Sequence, residues 1–189
     1  AVGLDEVVDI LIDGETIARI GHELPEEGAV ILDREGSVVV PGLVDVHVHL
    51  REPGQEYKET IETGTAAAAH GGFTAICSMP NTIPTTDNAA TLDFVIEQAK
   101  KAGHCRVHPS GACTKGLKGE SLSEMGDMAA HGAVAFTDDG RGVQDAGMMR
   151  RVMDYAKMFN CVVMSHCQDE ALVAPGQVNE GAVSTRLGM

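Results

Sequence analysis

Basic residues are scarce: 14 Lys and Arg stand against 28 Asp and Glu in 189 residues, a net charge of −14. A nucleic-acid or anionic-membrane surface needs clustered positive charge, so the shortage excludes both as partners and favours a small molecule. Long hydrophobic runs are also missing. No stretch of 18 consecutive apolar residues occurs and no secretory leader is evident, so a cytoplasmic location without a membrane segment is expected. Cysteine is too sparse and too irregular for a disulfide framework. The five residues (Cys77, Cys105, Cys113, Cys161 and Cys167) are odd in number with no C-x-x-C pair, which predicts reduced thiols in apolar strands.

What remains is 43% hydrophobic, enough to bury a core. The first forty residues have a texture of their own. The runs VVDILI and ETIARIG flank Asp13-Gly14, a strand, hairpin turn and strand, and Val30–Leu32 and Ser37–Val40 are expected to add two more strands. Pro41-Gly42 marks a boundary, giving domains at 1–41 and 42–189.

After the boundary, short apolar runs alternate with helical periods. The runs are LVDVHVHL, AICSMPN, RVHPSGAC, AVAFTDD and CVVMSHC; helices are predicted from about Lys58 to His70, Asn88 to Ala102, Ser121 to Ala130 and Asp145 to Phe159. Leu92, Val95, Ile96 and Ala99, and again Met149, Val152, Met153 and Ala156, form one stripe per helix. Gly71-Gly72 and Gly103 close helices, and Ser121 with Glu124 fits a capping box. Apolar strands joined by helices imply an α/β fold with a parallel sheet, open or closed into a (β/α)8 barrel.

Polar residues favour the barrel. His47 and His49, Asn81, Asp139 and His166 each fall at the C-terminal end of a different strand or pair on one, the rim where barrel enzymes assemble their sites. About five of eight strands are present, so a complete barrel of about 250 residues would need roughly 100 more. The chain reads as part of a longer protein.

The most informative stretch is Pro41–Gly54, PGLVDVHVHLREPG. In a strand alternate side chains share a face, so His47 and His49 point the same way about 7 Å apart and can converge on one metal ion. Arg51, two residues further, faces the same mouth if the strand continues. Alternation in AVAFTDD puts Asp139 on the face opposite Val134, Phe136 and Asp138, hence toward the mouth. Three imidazoles and a carboxylate suit Zn²⁺, with Mn²⁺, Fe²⁺ or Co²⁺ open to the same donors. His22, His70, His104 and His131 read as hydrogen-bonded core histidines, His108 as structural, and Cys167 as a buried thiol.

HVHLREPG, MPNTIPTTD, AFTDDG, SHCQDE and EGAVSTRLGM together resemble the dihydroorotases of the amidohydrolase superfamily, in the type with aspartate at the shared metal position. The resemblance covers nearly the whole chain. It implies a partial (β/α)8 barrel preceded by part of a small β-sandwich, and one or two zinc ions held by His47, His49, Asp139 and His166. It also implies that Arg51, Asn81 and His49 bind the substrate carboxylate. The general base, an aspartate after the eighth strand, and a further histidine after the sixth are expected beyond Met189, leaving no catalytic residue within this chain.

The implied reaction is reversible cyclisation of N-carbamoyl-L-aspartate to L-dihydroorotate in pyrimidine biosynthesis. A homodimer, or a complex with aspartate transcarbamoylase, is implied as a possible assembly. Hydantoinases and allantoinases share the His-x-His and form the alternative, although hydantoinases carry a lysine where this chain has Asp139. A non-catalytic dihydroorotase-like scaffold is the third reading.

Overall fold

A computed structural model describes residues 4–173 and 176–189. The chain divides into two compact units, Ala1–Val40 and Pro41–Met189. In the first, β1 (Asp9–Asp13) and β2 (Thr16–Gly21) form an antiparallel hairpin, with Asp13 opposite Thr16 and a register shift at Leu11/Ile12. The strands expected at Val30–Leu32 and Ser37–Val40 do not form among the described residues. Val30 and Val38 are almost fully exposed, and a strand without a partner leaves its backbone groups unpaired.

The second unit carries five parallel strands, β3 (Leu43–Val48), β4 (Phe73–Ser78), β5 (Arg106–Gly111), β6 (Ala135–Phe136) and β7 (Val162–Val163). They lie in the sheet in chain order, β3-β4-β5-β6-β7. An open doubly wound sheet reverses its order at a switch point. No reversal occurs here, so the sheet has the sequential order of a barrel. Helices α1 (Ile61–His70), α2 (Ala89–Ala102), α3 (Met125–Ala130) and α4 (Ala146–Lys157) link successive strands; α5 (Glu170–Val173) and α6 (Ala182–Leu187) follow β7.

Local chemistry sets the helix ends. The first helix begins at Ile61, three residues later than the periodicity suggests. The Thr60 hydroxyl accepts from Thr63 N at 3.1 Å while Glu52 Oε2 accepts from Ile61 N at 2.8 Å, so two free N–H groups find oxygens there. Asn88 and Asp145 cap α2 and α4 in the same way, and Gly103, with φ of 67°, ends α2 in the left-handed conformation. The capping box expected at Ser121 and Glu124 is not used. The Ser121 carbonyl accepts from Lys115 N and Ser123 N donates to the Cys113 carbonyl, so this backbone pairs with a loop and the helix starts only at Met125.

Two apolar clusters pack helices on the sheet. Leu50, Ile61, Ile76, Val95 and Ala99 form one; Leu92, Met125, Met128, Phe136, Met148, Val152 and Ala156 belong to the other. The α2 stripe is as the periodicity implies. On α4 the buried line is Met148, Val152 and Ala156, whereas Met153 is 51% exposed. Val152→Ala is therefore expected to cost about 2 kcal/mol and Met153→Ala less than about 0.5 kcal/mol, compared as urea midpoints.

Candidate metal centre

The parallel ladder carries the ends of β3, β4 and β6 to one rim, where His47 near the end of β3 meets side chains just past the three strands. Asp139, three residues beyond β6 and 5% exposed, is central. Its Oδ1 lies 3.1 Å from His47 Nε2 and 3.6 Å from His166 Nδ1; its Oδ2 lies 3.6 Å from His49 Nε2. One ligand atom each from His47, His49 and Asp139 fall within 4.8 Å of one another. A single cation can reach all three. His166 touches the same carboxylate from the segment after β7, outside that tighter trio.

Asn81, beyond β4, fixes the chemistry of one of these rings. Its Nδ2 donates to Asp139 Oδ2 at 3.0 Å, which leaves Oδ1 facing His49 Nδ1, also at 3.0 Å. A carboxylate and an amide oxygen can only accept, so Nδ1 of His49 donates to Asn81 and the ring turns Nε2 toward Asp139. A metal ligated through Nε2 needs that ring orientation, held through the other nitrogen.

Asp138 turns the opposite way, as alternation implies. It is 2% exposed and accepts from Thr114 N at 2.9 Å and from the Thr114 hydroxyl. Burial raises its pKa, opposed by the hydrogen bonds from Thr114 and the Cys113 backbone. The two neighbouring carboxylates thus face different partners.

Three placements differ from expectation. The third strand stops at Val48, and Arg51 has a φ of 62°, so it belongs to a turn and strand alternation does not aim it. Arg51 is half-buried, with no carboxylate paired to it among the described residues. Cys167 is exposed because β7 ends at Val163 and regular alternation ends with it. His22, His70, His104 and His131 are exposed rather than core, and His108, on β5, is exposed as well; His131 pairs with Asp93 at 2.9 Å and His22 with Glu6 at 3.4 Å. Cys77 and Cys113 are buried free thiols; burial pushes the pKa of Cys77 up to about 11 and that of Cys113 higher.

Sequence reasoning passed over Gln55. It is buried, its N–H donates to the Arg51 carbonyl and its side chain to the Asn81 carbonyl. The one hint was an amide directly after the Pro53-Gly54 turn.

Comparison with known proteins now bears on this geometry. Residues 36–189 match the family model described as dihydro-orotase-like. A dihydroorotase of Syntrophotalea carbinolica is 52% identical over 189 residues, covering 100% of this chain and 44% of that protein. The chain belongs to the dihydroorotase-like family. A dihydroorotase of Pelotomaculum thermopropionicum is 54% identical over 187 residues, 99% of this chain and 44% of its own length. The chain thus spans less than half the length of these curated relatives. Among solved structures, the L-hydantoinase (dihydropyrimidinase) from Arthrobacter aurescens superposes with a TM-score of 0.71 at 24% identity, covering 88% of this chain and 38% of that one. This likeness carries the fold alone: the five-stranded sheet is part of a (β/α)8 barrel.

Asp138→Ala leaves two buried Thr114 donors without an acceptor. A loss of about 1–3 kcal/mol in urea unfolding is expected, whereas a change below about 0.5 kcal/mol would show that the pair contributes little.

Proposed function

We propose that the protein containing this chain is a zinc-dependent dihydroorotase, reversibly cyclising N-carbamoyl-L-aspartate to L-dihydroorotate in the cytoplasm during pyrimidine biosynthesis. The supporting observation is the convergence of His47, His49 and Asp139 at the rim, donor atoms within 4.8 Å. The donor set fits the metal: two or three imidazoles with one carboxylate match zinc, and His49 already presents Nε2. In this reading His47 and His49 would hold one ion, Asp139 would be the carboxylate ligand, and His166 would serve a second ion. Bound there, zinc supplies Lewis-acid polarisation of an amide carbonyl and acidifies water to a pKa of about 7.

The chain's own residues do the orienting. Arg51 offers a planar fork that fits a carboxylate in bidentate fashion and so selects which carbonyl of the ring meets the metal centre. Asn81 spends one N–H on Asp139 and its oxygen on His49, leaving its second N–H for the same carboxylate. His49 borders both the metal and the substrate. No residue of this chain is assigned the proton transfer. That role goes to an aspartate in the further length that the relatives possess.

Two tests address the reading in the full-length protein. His47→Ala with His49→Ala is expected to abolish zinc binding and turnover, and unchanged zinc by elemental analysis contradicts the ligand assignment. Arg51→Lys keeps the charge without the fork; kcat/KM for dihydroorotate is expected to fall by the equivalent of about 1.5–3 kcal/mol with zinc content intact. Hydantoin turnover in the parent without dihydroorotate turnover would instead favour a hydantoinase.

A further inference from the structure

We infer that Gln55 is a positioning residue that sets the spacing between Arg51 and Asn81, and with it the fit of a carboxylate-bearing substrate. The inference rests on the reading of Arg51 and Asn81 as the carboxylate-binding pair. Those two residues sit on different loops, after β3 and after β4, and bidentate recognition depends on where each loop lies.

Gln55 joins the loops from both ends of its own structure. Its backbone N–H donates to the Arg51 carbonyl at 3.0 Å, and its Nε2 donates to the Asn81 carbonyl at 3.1 Å. Lys58 Nζ donates to Gln55 Oε1 at 2.9 Å, which determines how the amide is turned: the oxygen faces the ammonium and the NH₂ faces Asn81. The residue is only 9% exposed, so water does not readily replace these bonds.

The loops are close enough for this to matter. Ile83 N donates to the Pro53 carbonyl at 2.9 Å, and a Cβ placed on Gly54, whose φ is 91°, would lie 1.8 Å from the Ile83 carbonyl oxygen. The turn between Arg51 and Gln55 therefore lies directly against the turn after Asn81. Asn81 in turn holds His49 and Asp139 through its amide. Gln55 touches no reacting atom in this scheme; it acts through the two residues whose backbones it ties.

The test uses the full-length zinc-loaded protein. Gln55→Glu keeps the shape and the Lys58 partner but sets an acceptor against the Asn81 carbonyl. KM for L-dihydroorotate is expected to rise about three- to tenfold, with kcat within about threefold and zinc content unchanged. In an Arg51→Met background the same substitution is expected to add nothing, because the spacing no longer serves a fork. Lys58→Met, at an exposed position, frees the amide to turn and is expected to shift KM in the same direction by a smaller factor; it carries the test if the Gln55 variant does not fold.

An unchanged KM, a fall in kcat with loss of zinc, or additivity with Arg51→Met overturns the role of Gln55. Arg51→Met alone leaving KM unchanged overturns the carboxylate reading itself, and the spacing role with it. Arg51→Met raising KM while Gln55→Glu and Lys58→Met do not overturns the spacing role alone.

Discussion

A carboxylate buried at the rim of the sheet is the constraint on which the rest depends. Removing Asp139 from water is costly unless donors or a cation replace the lost hydration. The fold answers with the Asn81 amide and three imidazoles arriving from the ends of three other strands. Its neighbour Asp138 poses the same problem on the opposite face and is answered by Thr114. Successive residues of one short segment thus anchor the rim in two directions. Displacing Asp138 would leave the buried Thr114 donors without a partner, and displacing Asp139 would leave the half-buried Asn81 amide without one.

This arrangement explains why so much of the site lies past the ends of strands. A parallel ladder brings strand ends to one level, and the turns beyond them are free to adopt conformations that a ladder forbids. Arg51, with its positive φ, uses that freedom. The cost of irregular backbone is offset by bonds between turns, from Gln55 to Asn81 and from Ile83 to Pro53, and by Glu52 capping the next helix. The rim carboxylate and the Arg51 turn are therefore tied to the same scaffold.

Much of this was legible in the sequence where a period repeats. The βα alternation, the Leu92–Ala99 stripe and the opposite facing of Asp138 and Asp139 all follow from periods of 3.6 and 2. Legibility failed where a period stops. With methionines at 148, 149 and 153, two overlapping stripes fit α4, and the sequence does not say which one meets the sheet. Ser121 and Glu124 have the spacing of a capping box, but Lys115 and Cys113 pair with that backbone across a loop. Val30–Leu32 and Ser37–Val40 have strand composition without a partner strand among the described residues. The orientation of the His49 ring and the bridging by Gln55 depend on contacts between residues far apart in the chain, which no local pattern reports.

The central claim is that His47, His49 and Asp139 form a metal centre with His49 presented through Nε2. A crystal structure of the full-length protein, with anomalous scattering recorded at the zinc edge, tests it most directly. The expected result is an anomalous peak ligated by Nε2 of His47, Nε2 of His49 and the Asp139 carboxylate, with Asn81 still bonded to His49 Nδ1. No peak at these residues in zinc-loaded crystals, or a peak ligated by Nδ1 of His49, would contradict the account.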